Sequence, residues 1–343
     1  MKQHLNTLFV TTQGAYLAKD GEAVAVRVDS ETKLRFPAHT LDGVICFGQV
    51  SMSPALMAHL AEKDVCVSFL SESGRFLARV QGPTHGNVLL RRRQYRAADD
   101  PATSADIARM TLAGKLHNCR AALRRSARDH PDRPEAEKLS IAADALGHQL
   151  KRLPMTNGLE GLRGLEGEAA AGYFGAFAAM LLRGEPELGF TGRNRRPPLD
   201  PVNCLLSFLY TLLVHDVRSA LESVGLDPQV GFLHRDRPGR PSLALDLMEE
   251  FRPVLADRLA LTLLNRGMLD PKDFRTAVSG AVSLTDKARK TVITAWQERK
   301  RNEVEHPFLR EKMAAGLLPF AQALLLARFL RGDLDAYPPY LWR

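Results

Sequence analysis

Near residue 83 the spacing of apolar residues changes, and this change constrains the fold more than any other feature of the chain. Before it, short runs alternate apolar and polar residues, as half-buried strands do. After it, apolar residues recur every three or four positions, as on helices with one buried stripe. Strands are expected at 7–12, 15–18, 23–28, 34–36, 43–47, 65–70 and 75–80, with Asp20-Gly21 marking a tight hairpin turn. A single helix, 55–63, interrupts them, introduced by Ser53 and by Pro54 at its first position. Residues 84–101, with Arg91, Arg92 and Arg93 and a closing Asp99-Asp100-Pro101, read as a linker. Helices then follow at 105–126, 134–153, 159–182, 202–224, 243–265, 283–302 and 312–332, separated by Gly/Pro-rich breaks. The fold class is α+β: a small β-rich domain with one helix over 1–83, the linker 84–101, and a larger all-α domain over 102–343.

Charge divides at the same place. Residues 1–85 hold eight basic and eight acidic side chains, so the remaining 39 basic and 31 acidic residues carry the whole net charge of +8. A neutral front and a basic rear suggest that the rear meets a polyanion. Cys46, Cys66, Cys119 and Cys204 form no close pair and read as small buried residues of a reducing compartment. The start, MKQHLNTLFVTT, lacks a signal-peptide core, and the richest apolar runs, 176–182 and 205–214, are too short to span a bilayer. A cytoplasmic protein with no membrane partner is expected.

Three segments place acidic or imidazole side chains where the surrounding pattern calls for apolar ones. In LRGLEGEAAAGYF (162–174), Glu166 shares a helix face with Ala169, Ala170 and Tyr173, whereas Glu168 lies further round toward solvent. The plainer reading is an ion pair between Glu166 and Arg163. In GFLH (231–234), His234 sits within a Gly/Pro loop that also carries Arg235, Arg237 and Arg240. These suit phosphate contacts, or else form a solvated charge run. In SLALDLMEEFRP (242–253), Ser242 is an expected helix cap. Asp246, Glu249 and Glu250 then stand on one face, where they repel one another unless a cation or water lies among them. Alone, each segment has an ordinary explanation. Together, two carboxylates and an imidazole form a donor set for Mg²⁺ or Mn²⁺, with coordination sites left for water and a phosphate oxygen.

With these motifs, and with RNRRPPLDPVNCLLSFLY at 193–210, the chain resembles the CRISPR-associated spacer-acquisition integrase family over nearly its whole length. The closing PPYLWR (338–343) looks like the branch that accompanies type I systems. The resemblance implies metal ligation by Glu166, His234 and Glu249, with Asp246 a further catalytic-site carboxylate and Asn203 and Tyr210 in support. DNA contacts are expected from the arginines near these motifs: Arg163, Arg193, Arg195, Arg196, Arg235, Arg237 and Arg240. Ala171 and Gly172 stand where family members often carry a basic residue, which puts one phosphate contact in doubt. The implied activity is insertion of short DNA fragments into a CRISPR array by transesterification from 3′-hydroxyls. The implied partners are double-stranded DNA, a second copy of the chain joined through the β domain, and a small ferredoxin-like adaptation protein.

Two other readings compete. A branched-DNA repair nuclease would use the same site but yield only shorter strands. A non-enzymatic DNA-binding module would rely on Arg91–Arg93 and the 193–196 cluster, and its action would ignore EDTA.

Overall fold

A computed structural model describes residues 7–41, 43–63, 65–72, 76–80, 82, 88–194 and 196–342. The chain forms two compact units, Met1–Gly86 and Asn87–Arg343.

The first unit carries β1 (Thr7–Val10), β2 (Tyr16–Asp20), β3 (Ala23–Val28), β4 (Glu31–Pro37), β5 (Gly43–Phe47) and β6 (Ser51–Met52), then helix α1 (Pro54–Glu62), β7 (Cys66–Leu70) and β8 (Phe76–Val80). Two four-stranded sheets result, in the orders β1-β5-β7-β8 and β4-β3-β2-β6. The β2–β3 hairpin turns where Asp20-Gly21 signals it, with Gly21 at φ +58°. Ser53 caps α1 by accepting from the Leu56 amide at 3.2 Å, as the Ser-Pro start implies. Leu17, Val24, Val44, Leu56 and Leu60 meet in a common core, because alternation sends one set of side chains from each strand inward.

The second unit contains α2 (Val88–Asp99), α3 (Pro101–Asp129), α4 (Glu135–Arg152), α5 (Gly158–Phe177), α6 (Pro201–Ser223), α7 (Ser242–Met248), α8 (Arg258–Asn265), α9 (Asp286–Arg301) and α10 (Leu318–Arg331). Two antiparallel pairs lie among them: β9 (Phe274–Thr276) with β10 (Val282–Leu284), and β11 (Glu303–Glu305) with β12 (Lys312–Ala314).

Several expectations require correction. Residues 88–99 are helix, not linker: α2 buries Leu90 and Gln94, and the Gln94 amide is bonded to the backbone of Asp227 and Val230. Residues 84–87 lie outside the described residues. The expected helix 243–265 is broken after Met248. A turn and a π-helical stretch, Arg252–Asp257, separate α7 from α8, since Pro253 has no amide to continue the α ladder. Ser242 does not cap α7; its hydroxyl donates to the Arg235 carbonyl at 3.2 Å. Residues 312–314 form a strand, so the last helix begins only at Leu318.

Helix α6 is long and apolar enough to cross a membrane by length and composition, yet Leu205, Leu206, Leu209, Leu212 and Leu213 are all buried in the helical unit. The four cysteines are free thiols; Cys46, Cys119 and Cys204 are buried and Cys66 is partly so.

Candidate active site

Helix α3 brings an unexpected side chain to the centre of the site. Thr111, Lys115 and Asn118 are buried on it at i, i+4 and i+7, a polar stripe within an otherwise apolar inward face. The Lys115 ammonium donates to Glu166 Oε1 on α5 and lies 2.8 Å from Glu249 Oε2, just past the end of α7. Burial works against charge on Lys115, but the Glu249 and Glu166 carboxylates outweigh it and hold the ammonium above its ordinary value. Glu249 is 2% exposed and also pairs with Arg252. Burial alone would raise its carboxyl, but Arg252, Lys115 and His234 pull it down to about 2. Glu249 is therefore a firmly ionised, buried carboxylate. Its Oε2 is held by the Lys115 ammonium.

The 225–241 loop is organised around Asp246. Its Oδ2 accepts the amides of Phe232 (2.6 Å) and Leu233 (2.9 Å), and its Oδ1 accepts the His234 amide at 2.9 Å. The same Oδ1 lies 2.6 Å from His234 Nδ1. The carboxylate can only accept, so Nδ1 is the donor and the ring is oriented with Nε2 as the nitrogen not engaged by Asp246. Asp246 is thus a positioning residue. The loop must pass close to it, and a Cβ at Gly231 would sit 2.8 Å from Asp246 Oδ2. Arg163 pins the loop to α5 by donating from Nε to the Leu233 carbonyl at 2.7 Å.

The Glu166–Arg163 pair considered from the sequence is replaced by two others. Arg163 binds Glu160, which Arg235 also reaches at 2.8 Å, and Glu166 binds Lys115. The three carboxylates of 246–250 do not point the same way either. Asp246 turns to the loop, Glu249 to Lys115 and Arg252, and Glu250 to the C-terminal tail.

Behind the site, Asn203 and Tyr210 of α6 play different parts. Asn203 ties Arg193 (2.6 Å), the Asn194 amide (3.1 Å), the Gly192 carbonyl (2.8 Å) and Asp200 (2.6 Å) into one knot. Tyr210 donates to Asp257 at 2.7 Å and lies under the guanidiniums of Arg193 and Arg252, at 5.3 and 4.8 Å from its ring centre. Tyr173 donates to the other Asp257 oxygen at 3.0 Å. Burial pushes Asp257 up to about 6, although both tyrosines and the nearby arginines oppose the shift. Tyr210 therefore supports Arg252, and Arg252 in turn supports Glu249.

A cleft of about 950 Å³ exposes this arrangement, lined by Glu166, His234 and Glu249 together with Lys115 and Arg252. Arg163, Arg193, Arg196, Arg235, Arg237 and Arg240 also line it. Arg195 lies outside the described residues. The two glutamates converge on one cation, the Lys115 ammonium. His234 shares the cleft, but among the described residues no three His, Cys, Asp or Glu side chains meet at one point. The sequence reading missed Lys115, Arg252 and Asp257. The available signal was a charged or polar residue recurring at helical spacing on the apolar face of α3.

A β-rich front and a helical rear define an architecture that known proteins share. Residues 8–298 match the family described as CRISPR associated protein Cas1. Over 343 residues, the full length of both chains, the sequence is 57% identical to CRISPR-associated endonuclease Cas1 1 of Chlorobaculum tepidum. It is 55% identical over 347 aligned positions to CRISPR-associated endonuclease Cas1 2 of Rhodospirillum rubrum, again covering all of both chains. The fold is similar to that of a casposase bound to integration product (TM-score 0.84, 22% identity, 99% of this chain and 95% of that one). It is also similar to a CAS1 protein from Thermotoga maritima (TM-score 0.83, 22% identity, 97% and 99%). The chain belongs to the Cas1 family.

Proposed function

We propose that this chain is a metal-dependent DNA endonuclease and integrase that inserts short DNA fragments into a CRISPR array. The observation that carries the reading is the gathering of Glu166, His234 and Glu249 in one arginine-lined cleft. The donor chemistry fits a hard divalent cation. Glu249 is ionised, the Asp246 contact takes up His234 Nδ1 and not Nε2, and the two glutamates already hold a cation in Lys115. Glu166, His234 and Glu249 would hold Mg²⁺ or Mn²⁺ once the ammonium moves aside. Such an ion, when bound, supplies Lewis-acid activation of the phosphodiester and of the attacking hydroxyl.

The chain's own residues do the rest. Asp246 keeps the imidazole oriented, Arg252 holds the Glu249 carboxylate in place, and the cleft arginines neutralise the phosphates flanking the reacting one. In the joining step a 3′-hydroxyl oxygen bonds to phosphorus while the bond to the departing 3′-oxygen breaks. The attacking hydroxyl gives up its proton and the departing oxygen gains one. One phosphodiester replaces another, so no high-energy cofactor is consumed. Double-stranded DNA as substrate, a homodimer formed through the first unit, a small ferredoxin-like adaptation protein as partner, a type I system as setting and the cytoplasm as location belong to the same proposal.

The test is the purified protein with end-labelled duplexes and a repeat-bearing target, with Mn²⁺ or Mg²⁺ and with EDTA. Joined strands longer than the substrate, abolished by EDTA, are expected. Shorter products alone would transfer the chain to the repair-nuclease reading. No processing under any condition would leave a DNA-binding module.

Lys115 offers a second measurement. Its ammonium competes for the carboxylates that would bind the ion, so Lys115→Met should bind Mn²⁺ about tenfold more tightly or better. Calorimetric titration reads this directly, and melting with and without Mn²⁺ should show a larger metal-induced gain in the variant. Unchanged or weaker Mn²⁺ binding would mean that Lys115 does not stand in the ion's place.

A further inference from the structure

We infer that a second anion-binding site, built by Arg125, Arg258 and Arg299 around the indole of Trp342, grips the phosphodiester backbone of DNA outside the catalytic cleft. The inference rests on the reading of the chain as a DNA-acting protein. Its evidence is a cluster of guanidiniums gathered on one indole. Other arginines sit directly against carboxylates: Arg109 on Asp106, Arg124 on Asp144 at 3.0 Å, and Arg183 on both Glu185 and Asp270. Here Arg258 lies 4.4 Å and Arg125 5.6 Å from the centre of the same Trp342 ring. Arg299 is anchored beside them through the Val254 carbonyl at 2.8 Å. Among the described residues, the acidic group in ion-pair contact there is Asp129, at 3.4 Å from Arg125, and it also serves Arg128 at 3.6 Å. Burial, and then the charges of Arg299 and Arg125, push the Arg258 guanidinium down to about 10. Like charges held together this way call for an anion.

The platform is rigid. The Trp342 amide donates to Asn118 Oδ1 at 2.8 Å, and its carbonyl lies 3.1 Å from His117 Nε2. A guanidinium resting on a fixed indole keeps its N–H edges outward and loses little freedom on binding, which suits two-point contact with a phosphate. The Arg125 side chain is 46% exposed, so a macromolecular anion can reach it. DNA is favoured over an acidic protein by continuity with the cleft. Arg125 lies ten residues beyond Lys115 on α3, about 15 Å along its axis. Arg258 follows Arg252 by six residues. A B-form strand offers a phosphate about every 3.4 Å of its axis, so a duplex a few turns long presents phosphates to both places.

The experiment measures duplex DNA affinity of the full chain across a salt series. Each lost phosphate contact should make the slope of log K against log salt shallower by about 0.9. Arg125→Gln/Arg258→Gln should therefore flatten it by about 1.8, and Arg258→Lys should keep the slope because it keeps the charge. Should the double variant fail to fold, Arg125→Gln alone should shift the slope by about 0.9. Acrylamide quenching gives a second readout. Trp296 is only 1% exposed, so quenching reports Trp342, and bound duplex should shield it. An unchanged slope in variants of a protein that binds DNA would overturn the second site. So would shielding of Trp342 by poly-glutamate but not by DNA. A wild-type chain that binds no duplex would instead remove the DNA reading itself.

Discussion

Glu249→Gln should lower DNA strand cleavage and joining by more than about a hundredfold while the protein remains folded. Loss of an outer partner of a metal ligand usually costs 10–100-fold, and Glu249 is the ligand itself on the proposed reading. The carboxamide keeps the shape and an acceptor oxygen toward Arg252 but removes the charge that Lys115, Arg252 and His234 stabilise. Asp246→Asn is the internal comparison. It touches the site only through His234 and the loop amides, so its loss should fall within the outer-partner range. Rates with saturating Mn²⁺ and melting curves for both variants decide the matter. A Glu249→Gln protein that joined strands within a few-fold of wild type would end the proposed role of this residue.

The largest effect on stability is expected at the next position in sequence. Glu250 is fully buried, and its carboxylate accepts from the Tyr340 amide (2.7 Å), the Tyr337 hydroxyl (2.7 Å) and the Gln322 amide (2.9 Å). Glu250→Ala leaves these donors without a partner in an apolar interior. At about 1–3 kcal/mol for each unsatisfied group, partly relieved by relaxation, the cost should be about 3–5 kcal/mol. That corresponds to a drop of about 10 °C in melting temperature for a domain of this size. A drop of only about 2 °C would show that the tail is held by something else.

The same group gives stability a pH dependence. Burial, opposed by the Tyr340, Tyr337 and Gln322 contacts, pushes Glu250 from 4.5 up to about 8. An acid whose folded-state value is raised contributes fully below its unfolded value and loses that contribution as pH rises through the folded value. The wild type should therefore lose stability relative to Glu250→Gln between about pH 5 and 8. Denaturant midpoints over that range provide the check, and a constant difference would show that Glu250 ionises as it does in water.

The sequence made the first unit readable because strand alternation, Asp20-Gly21 and Ser53-Pro54 are all local signals. It made His234 and Glu249 readable as residues at odds with their surroundings. It misled at 88–99, where arginines dominate the composition and only Leu90 and Gln94 turn inward. It also misled at 242–265, where apolar spacing runs on through Pro253 although the backbone changes helical type. Lys115 was hidden for a different reason. Its partners are 51 and 134 residues away, and nothing beside it in the chain announces them. The divergence of Asp246, Glu249 and Glu250 was equally invisible. A helical wheel groups them, but the helix ends at Met248 and tertiary partners decide where each one turns.

Glu249 and Glu250 are joined by one peptide unit, yet one faces the reactive cleft and the other secures Tyr337 and Tyr340 from the far end of the chain. A shift of the backbone at this pair would therefore move both carboxylates, so on the proposed reading the cleft and the attachment of the chain's end are set by the same short stretch.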